Sequence, residues 1–474
     1  MKEPMGNSQK SMWMRDPLRA AMTAHVHGAA MHGLGAALCG LFFAAALAAC
    51  SAAQGAVIIA LAGTLGVALL MCGAWRTLRD EPVLVLLCAA LLAMAAVGAH
   101  LAMLDIRPGR MANVLEPMLE DMWNYELVTA MAWEEGGWSG VYLIVMALVS
   151  RLENFSQMAA LKLFDMLCQC GAALAVLRLA ELRGAKPYAA VAAMMACVLA
   201  PTMLFNAGVW MQCDATFAML TLWGLALLLA DHPLAGCVLW GLALGAKLQS
   251  AFLFPLLIVW FMQGKVSLRH ILALCAAFVA CQAAMLLDGL GLTSMITRYA
   301  QQLEIARDAA ILTDHAPGVY GLMSVASVRE FSGMGLYLGI AAALLVVFAL
   351  LRAHRPLNVD ATLLAALLLA AGLPLILPQM NARSLYLAGM LAFACAGSAR
   401  RMLVAGALEV ISLLCYMEAI FSAAMAPLSV LSIAAIAVAA LIAAELIGLL
   451  TCGGDAAARP IEKEKGAPAH EGQA

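Results

Sequence analysis

The chain has 474 residues, of which 65% are hydrophobic and 12% charged, with a formal net charge of −2. Soluble domains are about half apolar, and one water-facing core cannot hide so much apolar surface, so lipid is the expected solvent for much of the chain. The near-neutral balance lacks the basic footprint of a nucleic-acid-binding protein, and no nucleic-acid partner is expected.

Residues 1–27 are polar and basic and read as a cytoplasmic leader. Leu47-Ala48-Ala49-Cys50 has the look of a lipoprotein cleavage box, but a long leader precedes it and the same Ala-rich composition runs on, so it reads as chance. A membrane-spanning helix needs about 20 apolar residues. The candidate spans are 28–50, 54–74, 83–104, 155–178, 187–205, 213–230, 234–249, 250–263, 270–288, 334–352, 359–377, 385–398, 402–424 and 427–451. Several are short, and the pair around Lys247 reads as a broken helix. Backbone groups in lipid must be satisfied within the segment, and the runs are long and continuous rather than alternating, so the expected class is an all-α polytopic membrane protein and not a β-barrel. Abundant Ala and Gly predict close helix packing. The fourteen Cys are scattered through apolar runs without C-x-x-C pairs and read as small membrane-embedded hydrophobes. The transmembrane domain spans 28–452, and the charged stretch 453–474 reads as a disordered cytoplasmic tail.

Basic residues orient the spans. One set of connections carries Lys2, Lys10, Arg15, Arg19, Arg76, Arg79, Arg178, Arg183, Lys186, Lys265, Arg269, Arg352, Arg355, Arg400, Arg401, Arg459, Lys463 and Lys465, which is 18 of the 27 Lys and Arg. The excess side should be cytoplasmic, and both termini with it. Counting 140–152 as a span would put Arg178, Arg183 and Lys186 outside, so 105–152 reads as one long extracytoplasmic loop with interfacial helices. Trp123, Trp133 and Trp138 suit the headgroup level. The second long outer loop is 289–333, and loops of this length are usually functional.

These loops and the outer turns hold nearly all the unusual polar groups. The first offers Asp105, Arg107, Arg110, Glu116, Glu120, Asp121, Glu126, Glu134 and Glu135. The turn at 206–214 carries Trp210, Gln212 and Asp214; the tip of the broken pair carries Lys247, Gln249 and Ser250; the second loop carries Tyr299, Asp314 and His315; the turn at 378–383 carries Asn381 and Arg383. Asp214, Lys247 and Arg383 come from different segments, yet the charge rule puts all three at one face. Ionisable groups near the membrane face a cavity or a partner. Carboxylates beside fixed cations suit a lipid-phosphate substrate, the cations holding phosphate and a carboxylate accepting a proton. Asp214 paired with Lys247 for structure alone is the competing reading. Lys162 and Asp165, at i,i+3, read as a structural ion pair. The acidic run 116–135 reads more simply as a solvated face, and His315 as a loop hydrogen-bonder. No His or Cys set stands at ligand spacing, so no protein-bound transition metal is expected.

The turns resemble motifs of bacterial integral-membrane mannosyltransferases related to the GPI mannosyltransferase II family, in the GT-C glycosyltransferase superfamily. Gly208-Val209-Trp210-Met211-Gln212-Cys213-Asp214 resembles the family's G-V-W-G-Q-x-D, differing at Met211. Lys247-Leu248-Gln249-Ser250 followed by apolar residues and Pro255 resembles K-x-Q-[SA]. Leu312-Thr313-Asp314-His315-Ala316-Pro317-Gly318-Val319-Tyr320 resembles L-T-x-N-A-P-x-x-Y, and Pro378 to Gly389 resembles P-K-M-H-E-R-Y-F-Y-x-A-D. In this order the four cover roughly residues 83–400.

The resemblance implies a GT-C-like bundle of about 13–14 transmembrane segments in a bacterial plasma membrane. It implies transfer of a mannose-like hexose from a polyprenyl-phosphate donor to a lipid-linked glycan, envelope polymer or protein, with a divalent cation as a further candidate component. Asp105 becomes the candidate base, with Glu116 or Asp121 as helpers or replacements. Lys247 and Arg383 become the phosphate holders, and Arg110, Trp210, Gln212, Asp214, Gln249, Tyr299, His315 and Asn381 the other substrate contacts. The departures are specific. Arg110 stands where the family carries its acid; Asn381, Ala382, Ser384 and Gly389 replace His, Glu, an aromatic residue and Asp; Gln169 replaces a residue that is often acidic. They leave three readings open: a different substrate, a base moved to Asp105, or a non-catalytic relative acting as a flippase or scaffold for lipid-linked glycans.

Overall fold

The computed structural model describes residues 35–50, 55–107, 109–133, 140–291, 293, 312–323, 328–353 and 357–452. The leader 1–27, the tail 453–474 and most of the loop 289–333 lie outside these residues. Apart from two-residue strands β1 (Thr313–Asp314) and β2 (Met380–Asn381), the regular structure is helical. The chain is an all-α polytopic membrane protein. Among the described residues seven helices are long and apolar enough to cross a membrane, or eight if one bent pair is a single span.

The long helices are α2 (Ala56–Leu78), α3 (Val83–Ala102), α7 (Gln157–Leu182), α15 (Val328–Arg352), α16 (Val359–Ile376), α18 (Ala399–Phe421) and α19 (Leu428–Cys452). Shorter apolar helices are α1 (Gly35–Ala49), α6 (Gly140–Val149), α10 (Asp214–Leu229), α11 (Pro233–Ala246), α12 (Pro255–Met262), α13 (Leu268–Cys281), the single turn α14 (Ala283–Leu287) and α17 (Tyr386–Cys395). Every predicted span overlaps one of these or the bent pair described next, but among the described residues six of the fourteen fall on the shorter helices, which do not reach the length of a full crossing. Side chains cap the starts of three. Ser156 Oγ accepts from the Ala159 amide at 3.3 Å, Asn358 Oδ1 from Ala361 at 2.7 Å, and Ser398 Oγ from Arg401 at 3.3 Å.

The segment predicted at 187–205 is broken rather than straight. Pro201 has no amide hydrogen and drives Ala200 out of the helical region, to φ −58° and ψ 129°. The axis bends by 46° between α8 (Pro187–Leu199) and the run of α9 (Pro201–Leu204) and a π turn, Phe205–Val209. The exposed helix start needs an acceptor, and α18 supplies it: Glu409 accepts from the amide and the hydroxyl of Thr202, both at 2.8 Å.

Helix α7 is the hub. It packs on α2, α8, α10 and α17, and 72% of its apolar stretch is buried inside the protein. Close approach elsewhere depends on small residues. A Cβ at Gly241 of α11 would collide with the Leu274 carbonyl oxygen of α13. Between α3 and α7 the chain forms α4 (Gly109–Asn124), α5 (Leu127–Met131) and α6. Helix α4 is one-sided: Leu115, Met118, Leu119 and Met122 are buried at helical spacing, while Glu120, Asp121 and Trp123 face outward. Helix α6, at 10 residues, is about 15 Å long, half the hydrocarbon thickness. Every described cysteine is a free thiol.

Polar side chains gather at the two ends of the bundle. At one end Glu181 of α7 accepts from Arg76 and Thr77 of α2 at 2.9 and 2.7 Å. Arg401 of α18 grips Asp360 of α16 through two bonds, 2.5 and 2.7 Å, and Glu445 of α19 at 2.6 Å. A bidentate guanidinium in a mostly buried position fastens three helices. Arg401→Ala should therefore destabilise the protein by about 3 kcal/mol, as removal of one partner of a buried pair does, with Arg401→Lys retaining part of the loss. Thermal unfolding in detergent checks this, and an unchanged transition in Arg401→Ala would contradict it.

Candidate functional site

At the other end of the bundle three of the four sequence motifs meet around one carboxylate. Asp214 opens α10 and is fully buried. Lys247, in the break between α11 and the 3₁₀ turn Leu248–Leu253, donates to one of its oxygens. Arg383, just after β2, lies 3.5 Å from the other and donates to Gln212 Oε1. Asn206 Nδ2 donates to the same Asp214 oxygen at 2.9 Å and lies 3.1 Å from the Tyr416 hydroxyl. Trp210 forms one wall. The Arg383 guanidinium stacks over it at 5.1 Å, and Tyr416 meets it edge-on at 5.1 Å. The Lys247 ammonium sits 5.2 Å from the Phe217 ring.

Local backbone makes this convergence possible. Met211 sits at φ +55°, a left-handed conformation costing roughly 1 kcal/mol or more for a residue with a Cβ. This is the position where the resembled motif carries Gly. The turn aims Gln212 and Asp214 at Arg383, while the Met211 side chain, fully buried, packs with Leu115, Met118, Leu119 and Met122 of α4. Gln379, at φ +59°, turns the chain into β2.

The third motif joins by a clip that the sequence did not reveal. β1 and β2 pair in parallel, Thr313 with Met380 and Asp314 with Asn381, and His315 bridges to Asn381. Gln379 N donates to Leu312 O at 2.7 Å. Gly318 is required by contact: a Cβ there would lie 2.7 Å from the Leu375 carbonyl oxygen. His315 reaches Glu418 of α18 at 3.2 Å, so it acts as a hydrogen-bonding partner inside the clip.

The first-loop candidates lie apart from this buried cluster, at the surface. Asp105 is exposed in the turn after α3. That turn is fixed from below by Lys162, whose ammonium donates to the carbonyls of Met103, Leu104 and Ile106. The expected Lys162–Asp165 ion pair is therefore absent. Three carbonyls of the turn after α3 take the ammonium instead, and both Asp165 oxygens are buried without a hydrogen-bond partner among the described residues. Met103 of the Asp105 turn lies against Gly208, where a Cβ would come within 2.7 Å of its methyl carbon, so the turn docks on the segment leading to Asp214. Glu116 pairs with Arg107 at 2.9 Å on the surface. Asp121 is exposed, and Gln249 is half-buried in the 3₁₀ turn. Arg110 lies in α4 with its side chain outside the described residues, as is all of Tyr299. Asn381 accepts from the Arg383 amide at 3.1 Å, which sets the turn.

Sequence reasoning placed Asn206 in the outer turn without giving it a role, and missed Tyr416, Glu409 and Glu418. The two glutamates were legible as acids inside an apolar span, whereas Asn206 and Tyr416 carry no such signal. Gln169 pairs with buried His100 of α3 at 2.8 Å, which gives it a structural partner. Among the described residues no three His, Cys, Asp or Glu stand together as a metal-ligand set, and Asp214 has its oxygens taken by Lys247, Arg383 and Asn206. Compared with known proteins, the chain matches no protein-family model and no curated protein.

The cluster is electrostatically unequal, with two cations in contact with one carboxylate. Arg383 Nε is buried and has no hydrogen-bond partner among the described residues. The buried guanidinium thus keeps one N–H donor uncommitted among the described residues. The cluster also sets an order of stabilities. Asp214→Ala strands two buried cations and should cost about 3–5 kcal/mol, whereas Lys247→Ala leaves a neutral Asp214–Arg383 pair and should cost less. Paired unfolding measurements on the two variants test this ranking, and the reverse order would refute it.

Proposed function

We propose that the protein is a GT-C-like glycosyltransferase of the bacterial plasma membrane. It transfers a hexose from a polyprenyl-phosphate donor to a lipid-linked glycan, envelope polymer or protein at the outer face, with both termini cytoplasmic. The observation that carries the reading is the surplus cation over Asp214, built from three motif segments that resemble one family of mannosyltransferases. A phosphate beside Lys247 and Arg383 neutralises that surplus and gives the guanidinium its missing acceptor.

In this reading the acceptor hydroxyl oxygen attacks the anomeric carbon while the bond from that carbon to the phosphate oxygen breaks. Asp105 takes the hydroxyl proton. Lys247 and Arg383 stabilise the negative charge on the departing polyprenyl phosphate. Trp210 and Gln212 shape the sugar pocket, and Asp214 positions both cations. Lys162 holds the Asp105 turn from the protein side, which leaves the carboxylate facing outward toward an acceptor.

A second reading, a non-catalytic flippase or scaffold for lipid-linked glycans, draws on the replaced motif positions. Asn381 serves the Arg383 turn, Ala382 is buried, and Gly389 sits against Met203, so these positions now do structural work. Mass spectrometry of envelope glycans from wild-type and deletion strains separates the two. A transferase predicts loss of one sugar, with a precursor one unit shorter accumulating, and the same phenotype in Asp105→Asn with normal protein levels. Accumulation of complete lipid-linked glycan in the deletion strain would decide for the second reading.

A further inference from the structure

A concavity lies on the first-loop side of the bundle, outside the charged cluster. It is a cleft of about 450 Å³ lined by Glu120, Trp123, Asn124, Leu152, Glu153 and Gln157. Glu120, Trp123 and Asn124 stand at i, i+3 and i+4 on the outward face of α4, opposite its buried Leu115, Met118 and Leu119. Leu152 and Glu153 come from the turn between α6 and α7, and Gln157 opens α7. The apolar cluster beneath α4 also contains Met211 and Cys213, so the cleft and the Asp214 site flank the same packed wall.

Its chemistry differs from that of the Asp214 site. Trp123 is 40% exposed, and its position is fixed from outside the cleft by Arg151, which donates to the Trp123 and Tyr125 carbonyls at 2.8 and 2.7 Å. Arg151 also stacks on the indole at 6.0 Å; its two terminal nitrogens are taken by those carbonyls, and its Nε is buried without a hydrogen-bond partner among the described residues. Neither Glu120 nor Glu153 makes an ion pair among the described residues. Asn124 Nδ2 donates to the Glu120 carbonyl at 3.1 Å and Gln157 Nε2 to the Ser150 carbonyl at 2.9 Å, which orients both amides and leaves each a second N–H and an oxygen. An aromatic face beside carboxylates and such amides matches a polyhydroxylated ring: the indole takes the apolar face of the sugar, and the acids and the remaining amide groups take its hydroxyls. Two unpaired carboxylates repel a phosphate or an acidic sugar.

We infer that this cleft binds the glycan of the acceptor, as an uncharged or amine-bearing oligosaccharide, while the phosphorylated donor stays at Lys247 and Arg383. The inference rests on the transferase reading for the word acceptor; the sugar binding itself does not. The test uses the full chain in nanodiscs, with mannotriose, a glucosamine trimer and mannose 6-phosphate as probes, read by saturation-transfer NMR. Mannotriose and the glucosamine trimer should bind, and mannose 6-phosphate should bind at least tenfold more weakly. Trp123→Ala should weaken both trimers at least tenfold. Glu153→Gln should weaken the glucosamine trimer more than mannotriose. These surface changes should leave unfolding unchanged, which separates lost binding from lost fold. Equal binding of the trimers to wild type and Trp123→Ala, equal binding of mannose 6-phosphate, or no binding of either trimer would overturn the inference. Trimer binding lost in Trp123→Ala, in a protein that shows no sugar transfer, would uphold the cleft and sink the transferase reading instead.

Discussion

The carboxylate of Asp214 is the fixed point about which this end of the protein is arranged. It is fully buried, and Lys247, Arg383 and Asn206 reach it from three other segments of the chain. A buried charge is tolerated only when paired and hydrogen-bonded. In lipid the alternatives are fewer still, since water is not there to take over. One acid thus obliges a helix start, a helix break and a strand turn to stand together. The strained backbone at Met211 and Gln379 is held because each turn delivers a member of that cluster.

The rest of the bundle makes this convergence rigid. Helix α7 runs between two polar ends, with Lys162 tying down the Asp105 turn near its start and Glu181 tying down α2 near its finish. The bent pair α8–α9 reaches the site only because Pro201 breaks the helix and Glu409 satisfies the new helix start. The β1–β2 clip joins the second loop to the Arg383 turn, and His315 fastens that clip to Glu418. At two of these places, the turn after α3 and the helix start at Thr202, a side chain from another helix supplies the partner that the irregular backbone needs.

Much of this was legible in the sequence, for reasons that are physical. Spans could be read because backbone hydrogen bonding in lipid forces long apolar helices. The grouping of Asp214, Lys247 and Arg383 could be read because an ionisable residue at a membrane face must find a partner. The i,i+3 spacing of Lys162 and Asp165 misled, because spacing within one helix says nothing of the carbonyls that the turn after α3 presents to Lys162. The β1–β2 clip was invisible, since two residues per strand carry no alternation. Met211 was visible only as a departure from a glycine motif; its positive φ shows why glycine suits the position, and its packing on α4 shows what methionine adds.

In the proposed transferase, Lys247 and Arg383 together hold an anion that Asp214 alone does not neutralise. Equilibrium binding of a polyprenyl phosphate to the purified protein in nanodiscs measures this directly, for wild type, Lys247→Met and Arg383→Met, with the unphosphorylated polyprenol as control. Loss of one charge-assisted hydrogen bond predicts binding weaker by about tenfold to a hundredfold in each variant, with polyprenol binding unchanged. Equal affinity of all three proteins for the phosphate would show that the cluster is a structural ion pair and nothing more.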